Sequence, residues 1–394
     1  MKIMDLKTTV VHVPFSHRPY RWHFGIKPGA TSILIEIFTD EGPVGIGEAP
    51  CLFYPYMPVE PIREVVEAAR PYILGEEPFN IERTMAKLYG TGAWHFARHA
   101  ANWAFGGLEM ALWDIVGKAC RQPLYKLLGG FIRREVPFIY FIYRDSPEKM
   151  ASEAVEAKLK GFKTFYIKVG EDIDQEIEQI EAIRAAVGYG VNLRVDANEA
   201  WSSGAALRYI KRLERYELEF VEQPVMATDL EGMARLRRSV GVPICSDQST
   251  RTIHEVLRAV ELKAADIISF DPSDAGGILA SKKVSAITEA AGIPTFIHSN
   301  VELGVATAAH LHLAVSTPNC TYANQTEYQF LADDIIEGQG FQFFGGCLKP
   351  PEGPGLGVSL DRDKVQRYSE HYQKTRDEAA RLVNAERVPL LPGY

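Results

Sequence analysis

Short apolar runs, each followed by a polar residue, recur at even intervals through the middle of the chain. The polar residues at the ends of these runs are Lys168, Asp196, Glu222, Asp247, Asp271 and His298. Neighbours in this series are separated by 28, 26, 25, 24 and 27 positions. An interval of that length holds one strand, one helix and two short loops, which is one βα unit of a parallel barrel. The pattern therefore predicts a (β/α) barrel whose polar residues meet at the carboxyl ends of its strands, where barrel enzymes place their active sites.

The first 125 residues follow a different pattern. Two β-rich runs, 3–14 and 31–38, are predicted to pair as antiparallel strands, and the turn signal Asp40-Glu41-Gly42-Pro43 follows the second run. Helical periodicity is then found at residues 61–73, 81–88 and 97–120. This order of elements predicts a separate α+β cap before the barrel.

The barrel itself is predicted to begin with a strand at 136–143 and to end with a strand at 321–325, shortly before Glu327. A loop rich in glycine and proline, 338–357, follows, and then a charged helix at 361–382. We therefore expect the last part of the chain to lie outside the barrel.

Composition and charge exclude several classes of function. With 394 residues the chain is long enough for one barrel and a smaller domain. Its net charge of -8 disfavours a nucleic-acid or anionic-membrane partner. Its five cysteines are scattered and form no CxxC motif, which disfavours a disulfide framework or a zinc site. Without a signal pattern or a run of roughly 18 apolar residues, a cytoplasmic protein is expected.

Three acidic residues, Asp196, Glu222 and Asp247, follow three successive predicted strands. Hard oxygen ligands that leave coordination positions open for water and substrate suit Mg²⁺. Any one of these acids, taken alone, is equally well explained as a helix cap or as the partner of a nearby cation. Three acids at one regular interval are much harder to explain in that way, so we predict a single Mg²⁺ site.

Lys168 and His298 lie on opposite arcs of the predicted barrel, on either side of the three acids. A lysine beside a divalent cation gives up its proton more readily, and Asp271 is placed to orient the imidazole of His298. Singly, each residue is better explained as an exposed lysine or as a core histidine. Together they predict two bases on opposite faces of a carboxylate substrate, whose α-proton the metal acidifies.

The ordered motifs carry a family resemblance. They are Lys168, Asp196-x-Asn198, Glu222-Gln223-Pro224, Asp247-Gln248, Asp271-x-x-x-x-Gly276-Gly277, His298, Ala111-Leu112-Trp113-Asp114-Ile115-x-Gly117-Lys118 and Leu127-Leu128-Gly129-Gly130. This set resembles the enolase superfamily, specifically the mandelate racemase/muconate lactonizing enzyme branch in its acid-sugar dehydratase-like form. The resemblance implies a modified TIM barrel of the (β/α)7β type over residues 126–330. It also implies an N-terminal α+β capping domain, residues 1–125, completed by a C-terminal segment, residues 331–394.

The resemblance also implies roles for individual residues. Sites of this superfamily use a lysine or histidine base together with Mg²⁺ that stabilises an enediolate. By resemblance, Glu327 hydrogen-bonds a carboxylate oxygen of the substrate, and Asn198 and Gln248 also contact the substrate. The metal ligands implied are Asp196, Glu222 and Asp247, and the acid/base residues implied are Lys168 and His298 with Asp271.

One position departs from the family pattern. The usual Lys-x-Lys of the second barrel strand is here Tyr166-Ile167-Lys168, so the base is kept and the first lysine is a tyrosine. A phenol still donates a hydrogen bond at the active site, but it lacks the positive charge that the first lysine contributes. Asp271, where relatives carry a lysine, disfavours the muconate-cycloisomerase and dipeptide-epimerase branch.

The cap is expected to determine substrate specificity. Residues 15–24 interleave cations with aromatic side chains, and Arg18 or Arg21 is a candidate clamp for a distal carboxylate or hydroxyl group. Residues 51–56 form a second, aromatic candidate loop. A surface loop with ordinary aromatic packing explains each of these residues about as well.

The resemblance implies a lyase that dehydrates an acid sugar to a 2-keto-3-deoxy acid, with a small-molecule carboxylate as substrate. The alternative is a racemase or epimerase of a 2-substituted carboxylic acid, with Lys168 and His298 as opposite-face bases. A third hypothesis is a barrel that binds metal and ligand without catalysis. By resemblance, a homo-oligomer is expected.

Overall fold

The computed structural model of the chain describes residues 1–17, 19–22, 25–52, 54 and 58–383. Two bodies of secondary structure are present, an α+β cap and a parallel barrel. No helix among the described residues is both long enough and apolar enough to cross a membrane. The predicted boundaries at residues 125 and 330 stay predictions.

A three-stranded antiparallel sheet with the strand order β1-β4-β5 forms the floor of the cap. The cap strands are β1 (Ile3–Pro14), β2 (Tyr20–Trp22), β3 (Gly25–Lys27), β4 (Gly29–Thr39) and β5 (Val44–Pro50). The antiparallel pairing of β1 with β4 was predicted from the sequence, and the turn after β4 includes Gly42 at φ 104°. Strand β5 and the short hairpin β2-β3 were not predicted, because β5 carries two glycines and the hairpin strands are only three residues long.

Five helices complete the N-terminal part: α1 (Glu60–Ile73), α2 (Ile81–Tyr89), α3 (Gly92–Phe96), α4 (Arg98–Cys120) and α5 (Leu124–Leu127). Helix α4 is buried along most of its length because it lies between the cap sheet and the barrel. Its backbone approaches β5 so closely that a Cβ atom on Gly47 would lie 2.0 Å from the carbonyl oxygen of Gly107. Glycine is needed there to let the helix contact the strand.

The barrel sheet contains seven parallel strands in sequential order. They are β7 (Tyr140–Ile142), β8 (Thr164–Lys168), β9 (Asn192–Asp196), β10 (Phe220–Glu222), β11 (Ile244–Ser246), β12 (Ile267–Phe270) and β13 (Thr295–Ile297), and β6 (Val136–Pro137) precedes them. The helices between and after them are α6 (Pro147–Leu159), α7 (Ile173–Val187), α8 (Ser203–Leu213), α9 (Leu230–Ser239), α10 (Ile253–Leu262), α11 (Pro272–Ala275), α12 (Ile278–Ala290) and α13 (Gly304–Val315). This alternation is the one that the spacing of the polar residues predicted.

The eighth position of the barrel is filled by residues 320–325, which include the predicted last strand, 321–325, although the segment forms isolated bridges and no regular strand. Cys320 forms a parallel bridge to Thr295 in β13, and Asn324 forms one to Phe138 beside β7, so this segment joins the two ends of the sheet. It pairs irregularly because the side chain of Asn324 accepts a hydrogen bond from the Ile297 backbone N–H at 2.6 Å, in place of a backbone carbonyl. The modified (β/α) barrel with an N-terminal cap is confirmed.

The C-terminal segment returns to the cap. After the two-residue strand β14 (Cys347–Leu348), helix α14 (Arg362–Val383) packs along β1. The rings of His12 and His371 stack with centroids 5.5 Å apart, and the ring of Tyr372 lies 5.7 Å from that of Tyr54. These contacts tie the end of the chain to the cap sheet.

Buried carboxylates of the cap hold the barrel helices. Glu109 in α4 accepts hydrogen bonds from the backbone N–H groups of Ile278 and Leu279 at the start of α12, the latter at 2.9 Å. Glu48 in β5 accepts in the same way from Leu303 at 2.7 Å and from Ala306 at 2.9 Å at the start of α13. Burial raises the pKa of both carboxyls to about 7. Unpaired N–H groups at a helix N-terminus favour such an acceptor, so these contacts fix the cap over the strand ends.

Replacing Glu109 by alanine is expected to destabilise the protein by about 3 kcal/mol, because two buried backbone N–H groups lose their acceptor. Denaturant unfolding compared with that of the wild-type protein measures the effect. Glu178→Ala, on the exposed face of α7, is the matched control and should change the free energy of unfolding by less than about 0.5 kcal/mol. Equal stability of the two variants would contradict this account of the interface.

Candidate active site

All six polar residues of the sequence pattern lie together at the carboxyl end of the barrel. Lys168, Asp196 and Glu222 are the last residues of their strands. Asp247, Asp271 and His298 directly follow the last residues of theirs. Each is at most 8% exposed. Parallel strands that run side by side bring their ends to one edge, which is why residues up to 130 positions apart converge here.

Asp196 receives hydrogen bonds from three directions. Its Oδ2 atom accepts from the hydroxyl of Tyr166 at 2.8 Å and from Nζ of Lys168 at 2.5 Å. Its Oδ1 atom accepts from the backbone N–H of Asn198 at 2.8 Å. Tyr166 is fully buried, and burial together with the charge of Asp196 raises the pKa of its phenol well above the ordinary value. The tyrosine that replaces the first lysine of the family pattern is therefore a neutral donor to a predicted metal ligand.

Glu222 and Asp247 lie beside Asp196 on the next two strands. Both oxygens of Glu222 accept from Nε2 of Gln325 at 3.1 Å, whereas Oδ2 of Asp247 is buried and has no hydrogen-bond partner among the described residues. Burial, with the charges of Asp196 and Asp247, raises the pKa of Glu222 to about 8. Buried carboxylates in this arrangement repel one another unless a cation lies between them.

The donor set fits Mg²⁺. One ligand atom each from Glu222, Asp247 and His298 lies within 4.8 Å of the others, and Asp196 adjoins them on the neighbouring strand. Three carboxylate oxygens and an orphaned buried acceptor are the hard ligands that this ion prefers.

His298 lies between two acids. Its Nδ1 atom is 3.6 Å from Oδ2 of Asp271, and its Nε2 atom is 3.9 Å from Oδ2 of Asp247. Burial acts to lower the pKa of His298, but the charges of Asp247 and Asp271 outweigh it and raise the pKa to about 10. Both distances slightly exceed hydrogen-bond length, and a small rotation of the imidazole would complete the bond to Asp271. The sequence-predicted pair is thus adjacent.

Glu327 is part of a buried network that was not predicted. The hydroxyl of Ser299 lies 2.6 Å from Oε2 of Glu327 and 2.6 Å from Oε2 of Glu302. A hydroxyl has one hydrogen to donate, so both contacts are hydrogen bonds only if one carboxyl is protonated. Burial and the charge of Asp271 raise the pKa of Glu302 well above its ordinary value. Glu302 therefore holds the proton, and Ser299 donates to Glu327.

A cavity of about 200 Å³ lies above this cluster and is enclosed by the cap. Among the predicted residues, its walls include Lys168, Asn198, Gln248, His298 and Glu327. Two further lining residues, Tyr20 and Leu52, belong to the candidate loops 15–24 and 51–56. The sequence analysis did not single out the remaining lining residues, which are Lys27, Phe141, Glu199, Arg251, Ser299 and Gln325. Of these, Glu199 and Ser299 directly follow recognised motif residues, and Gln325 lies two positions before Glu327.

The predicted cap clamps are not placed by the structure. Arg18 lies outside the described residues, as do residues 53 and 55–57 of the second loop. Arg21 is part of strand β2, but its side chain is outside the described part of the chain. A larger cavity of about 630 Å³ between the barrel and the C-terminal segment contains none of the predicted site residues.

Two family models match the sequence. One, described as "Mandelate racemase / muconate lactonizing enzyme, N-terminal domain", matches residues 5–129, and the other, described as "Enolase C-terminal domain-like", matches residues 149–364. The chain belongs to this branch of the enolase superfamily. The family prediction is confirmed.

Individual proteins that are similar to this chain belong to the same superfamily. The N-succinyl-L-Arg/Lys racemase of Bacillus cereus is 30% identical over 92% of this chain and 97% of its own length. The structure of an enolase from Streptomyces coelicolor superposes with a TM-score of 0.88 at 35% identity, covering 95% of this chain and 98% of that one. A dipeptide epimerase from Enterococcus faecalis, in complex with Mg and the dipeptide L-Leu-L-Tyr, gives a TM-score of 0.83 at 32% identity, covering 91% and 100%.

These comparisons change the functional picture. Members of the superfamily bind Mg²⁺, which is the cofactor of this chain, and its substrate is a small molecule. The similar proteins are named as racemases, epimerases and cycloisomerases rather than as acid-sugar dehydratases. They support the isomerase alternative and give no support to dehydration, the leading prediction. The chain also resembles, over nearly its whole length, the cycloisomerases and dipeptide epimerases from which Asp271 was expected to separate it.

Proposed function

We propose that the protein is a Mg²⁺-dependent racemase or epimerase of a 2-substituted carboxylic acid, with Lys168 and His298 as bases on opposite faces of the substrate. The observation that carries this proposal is the position of the two residues. Lys168 ends β8 and His298 follows β13, so the three acids on the intervening strands lie between them. Both side chains line the same cavity.

The roles of the residues follow from this geometry. Asp196, Glu222 and Asp247 would hold the metal. Bound Mg²⁺ supplies the positive charge that acidifies the α-proton and stabilises the enediolate left behind. Lys168 takes the proton on one face, and His298, oriented by Asp271, returns one on the other. The reverse assignment serves the opposite stereoisomer.

The substrate carboxylate needs hydrogen-bond donors around this pair. The side-chain amides of Asn198 and Gln248 can donate, and both residues line the cavity from the neighbouring strand ends. Glu327, which accepts the hydrogen of Ser299, also lines the cavity and offers an acceptor to a donor group of the substrate. The phenol of Tyr166 donates to Asp196 and does not line the cavity. Its role is therefore to position that metal ligand.

The substrate class proposed is N-acylated amino acids and dipeptides. Two features of the cavity support it. Leu52 and Phe141 are apolar lining residues that suit an aliphatic or aromatic side chain, and Arg251 adds a cation to the lining. The similar racemases and epimerases act on an N-succinyl amino acid or on dipeptides by name.

The test is α-proton exchange followed by ¹H NMR in D₂O with Mg²⁺. The panel contains N-succinyl-L-arginine, L-Ala-L-Glu, L-Leu-L-Tyr, mandelate and a set of acid sugars. At least one N-acyl amino acid or dipeptide is expected to incorporate deuterium at the α-carbon and to yield its stereoisomer without losing water. The double variant Lys168→Met/His298→Asn is the control for adventitious exchange.

Two outcomes would replace the proposal. A 2-keto-3-deoxy acid formed from a sugar would establish dehydration instead. Tight ligand binding without exchange in any compound would favour the non-catalytic barrel.

A further inference from the structure

We propose that Lys27, in the cap hairpin, supplies the positive charge that binds the substrate carboxylate, in place of the lysine that the family pattern carries at position 166. This inference rests on the proposed function and adds a substrate-binding residue to it. Lys27 carries no sequence motif, and the residues around it were expected to contribute arginines instead.

The position of Lys27 supports the assignment. Strands β2 and β3 pair so that Lys27 lies directly opposite Tyr20, and its Nζ atom is 5.9 Å from the centre of the Tyr20 ring. Both residues line the active-site cavity together with Lys168 and Glu327. Lys27 is 4% exposed and Tyr20 is 3% exposed, so the hairpin places two polar groups inside the enclosed space above the barrel.

Tyr20 provides an independent sign that a ligand belongs here. Its hydroxyl is buried and has no hydrogen-bond partner among the described residues. Burial, with the nearby charges of Glu327 and Asp196, raises the pKa of the phenol well above its usual value, so the group remains a donor. A buried donor in a cavity costs free energy unless something accepts its hydrogen bond. A carboxylate oxygen between Tyr20 and Lys27 would satisfy it.

The electrostatics of the site select Lys27 for this role. Among the described residues the cavity is lined by three residues with a cationic side chain other than histidine, and two of them belong to the barrel. Lys168 donates to Asp196 at 2.5 Å and is assigned to proton transfer, and Nε of Arg251 lies 4.0 Å from an oxygen of Asp274. Lys27 is the lining cation that the cap supplies.

Lys27 is charged when substrate binds near neutral pH. Burial, with a smaller contribution from the charge of Lys168, lowers its pKa to about 8, although the charges of Glu327 and Glu302 act to raise it. Charged at that pH and facing the cavity, Lys27 would attract a negatively charged ligand into it.

The test uses oxalate, a small dianion that resembles an enediolate in charge and shape. Calorimetric titration with Mg²⁺ present compares the wild-type protein with Lys27→Met and Lys27→Arg. We expect Lys27→Met to weaken oxalate binding at least tenfold and Lys27→Arg to retain most of the affinity. Lys349→Met, an exposed lysine far along the chain, is the matched control and should bind oxalate as the wild type does.

A relocated charge separates binding from a structural role. In the double variant Lys27→Met/Tyr166→Lys, a lysine returns to the barrel position, and most of the lost oxalate affinity should return with it. A residue that only supported the fold would show no such rescue, and thermal unfolding of Lys27→Met should match that of the wild type.

Oxalate that binds Lys27→Met as tightly as the wild type, or that binds neither protein, would overturn the assignment. The exchange assay distinguishes this failure from failure of the proposed function. If the wild type exchanges α-protons and Lys27→Met does so with unchanged KM, Lys27 is excluded while the racemase stands.

Discussion

Replacing either Lys168 by methionine or His298 by asparagine is expected to abolish racemisation while leaving α-proton exchange with only one stereoisomer of the substrate. Each variant lacks the base on one face, so it can still remove a proton presented to the other. The lost step should be slower by about 10²- to 10⁴-fold, the contribution of one positioned acid/base group. Exchange of each pure stereoisomer in D₂O, followed by ¹H NMR, measures the two faces separately.

The two variants should therefore show opposite preferences. If Lys168→Met exchanges the proton of one stereoisomer, His298→Asn should exchange that of the other. Lys349→Met and His254→Asn, both exposed, are the matched controls and should keep wild-type rates on both. Full racemisation by either active-site variant, or the same preference in both, would contradict the two-base arrangement.

The barrel and its chemistry were predictable from sequence for one physical reason. A parallel strand needs an apolar run, and the residue after it faces the active-site end, so Asp196, Glu222 and Asp247 repeat with the period of the βα unit. The same logic identified Lys168 and His298. Side chains fixed by this regular backbone can be assigned by counting along the chain.

The residues contributed by the cap could not be found in this way. Lys27 reaches the cavity because a three-residue hairpin strand folds over the barrel, and neither a period nor a motif marks it. Ser299 directly follows His298 and Glu302 lies four positions after it, but their hydrogen bonding depends on the position of Glu327, 25 residues further along the chain than Glu302. Tertiary contact decides such groups, and their sequence neighbours do not.

The choice between dehydration and racemisation was missed for a related reason. Both reactions begin with the same proton abstraction beside the same metal, so Lys168, His298 and the three acids are compatible with either. What distinguishes them is the part of the substrate that lies against the cap. Leu52 of the cap and Phe141 of strand β7 form an apolar wall of the cavity, and no pattern in the sequence places either residue beside His298.

Removal of Mg²⁺ is expected to abolish turnover and to destabilise the protein in a pH-dependent way that Glu222→Gln removes. Glu222 has a pKa of about 8 in the folded protein and an ordinary value near 4.5 when unfolded. The folded state therefore binds more protons than the unfolded state between these values. It follows that the stability contributed by this group is present below about pH 4.5 and is lost as pH rises towards 8. Mg²⁺ among the carboxylates should restore that stability, by about 2.7 kcal/mol at a hundredfold excess over its Kd.

Thermal unfolding between pH 5 and 8, with EDTA or with Mg²⁺, tests this coupling. The metal-free wild type should lose stability as pH rises, whereas Glu222→Gln, which cannot ionise, should lose less and gain little from Mg²⁺. Its turnover should fall by more than about 100-fold, because even the hydrogen-bonding partners of metal ligands contribute 10- to 100-fold. Glu178→Gln, exposed on α7, should follow the wild type throughout. Two results would remove Glu222 from the metal site: turnover that is indifferent to chelation, or Mg²⁺ stabilisation of Glu222→Gln equal to that of the wild type. A carboxylate that holds the ion cannot lose its charge without changing both the turnover and the stabilisation by Mg²⁺.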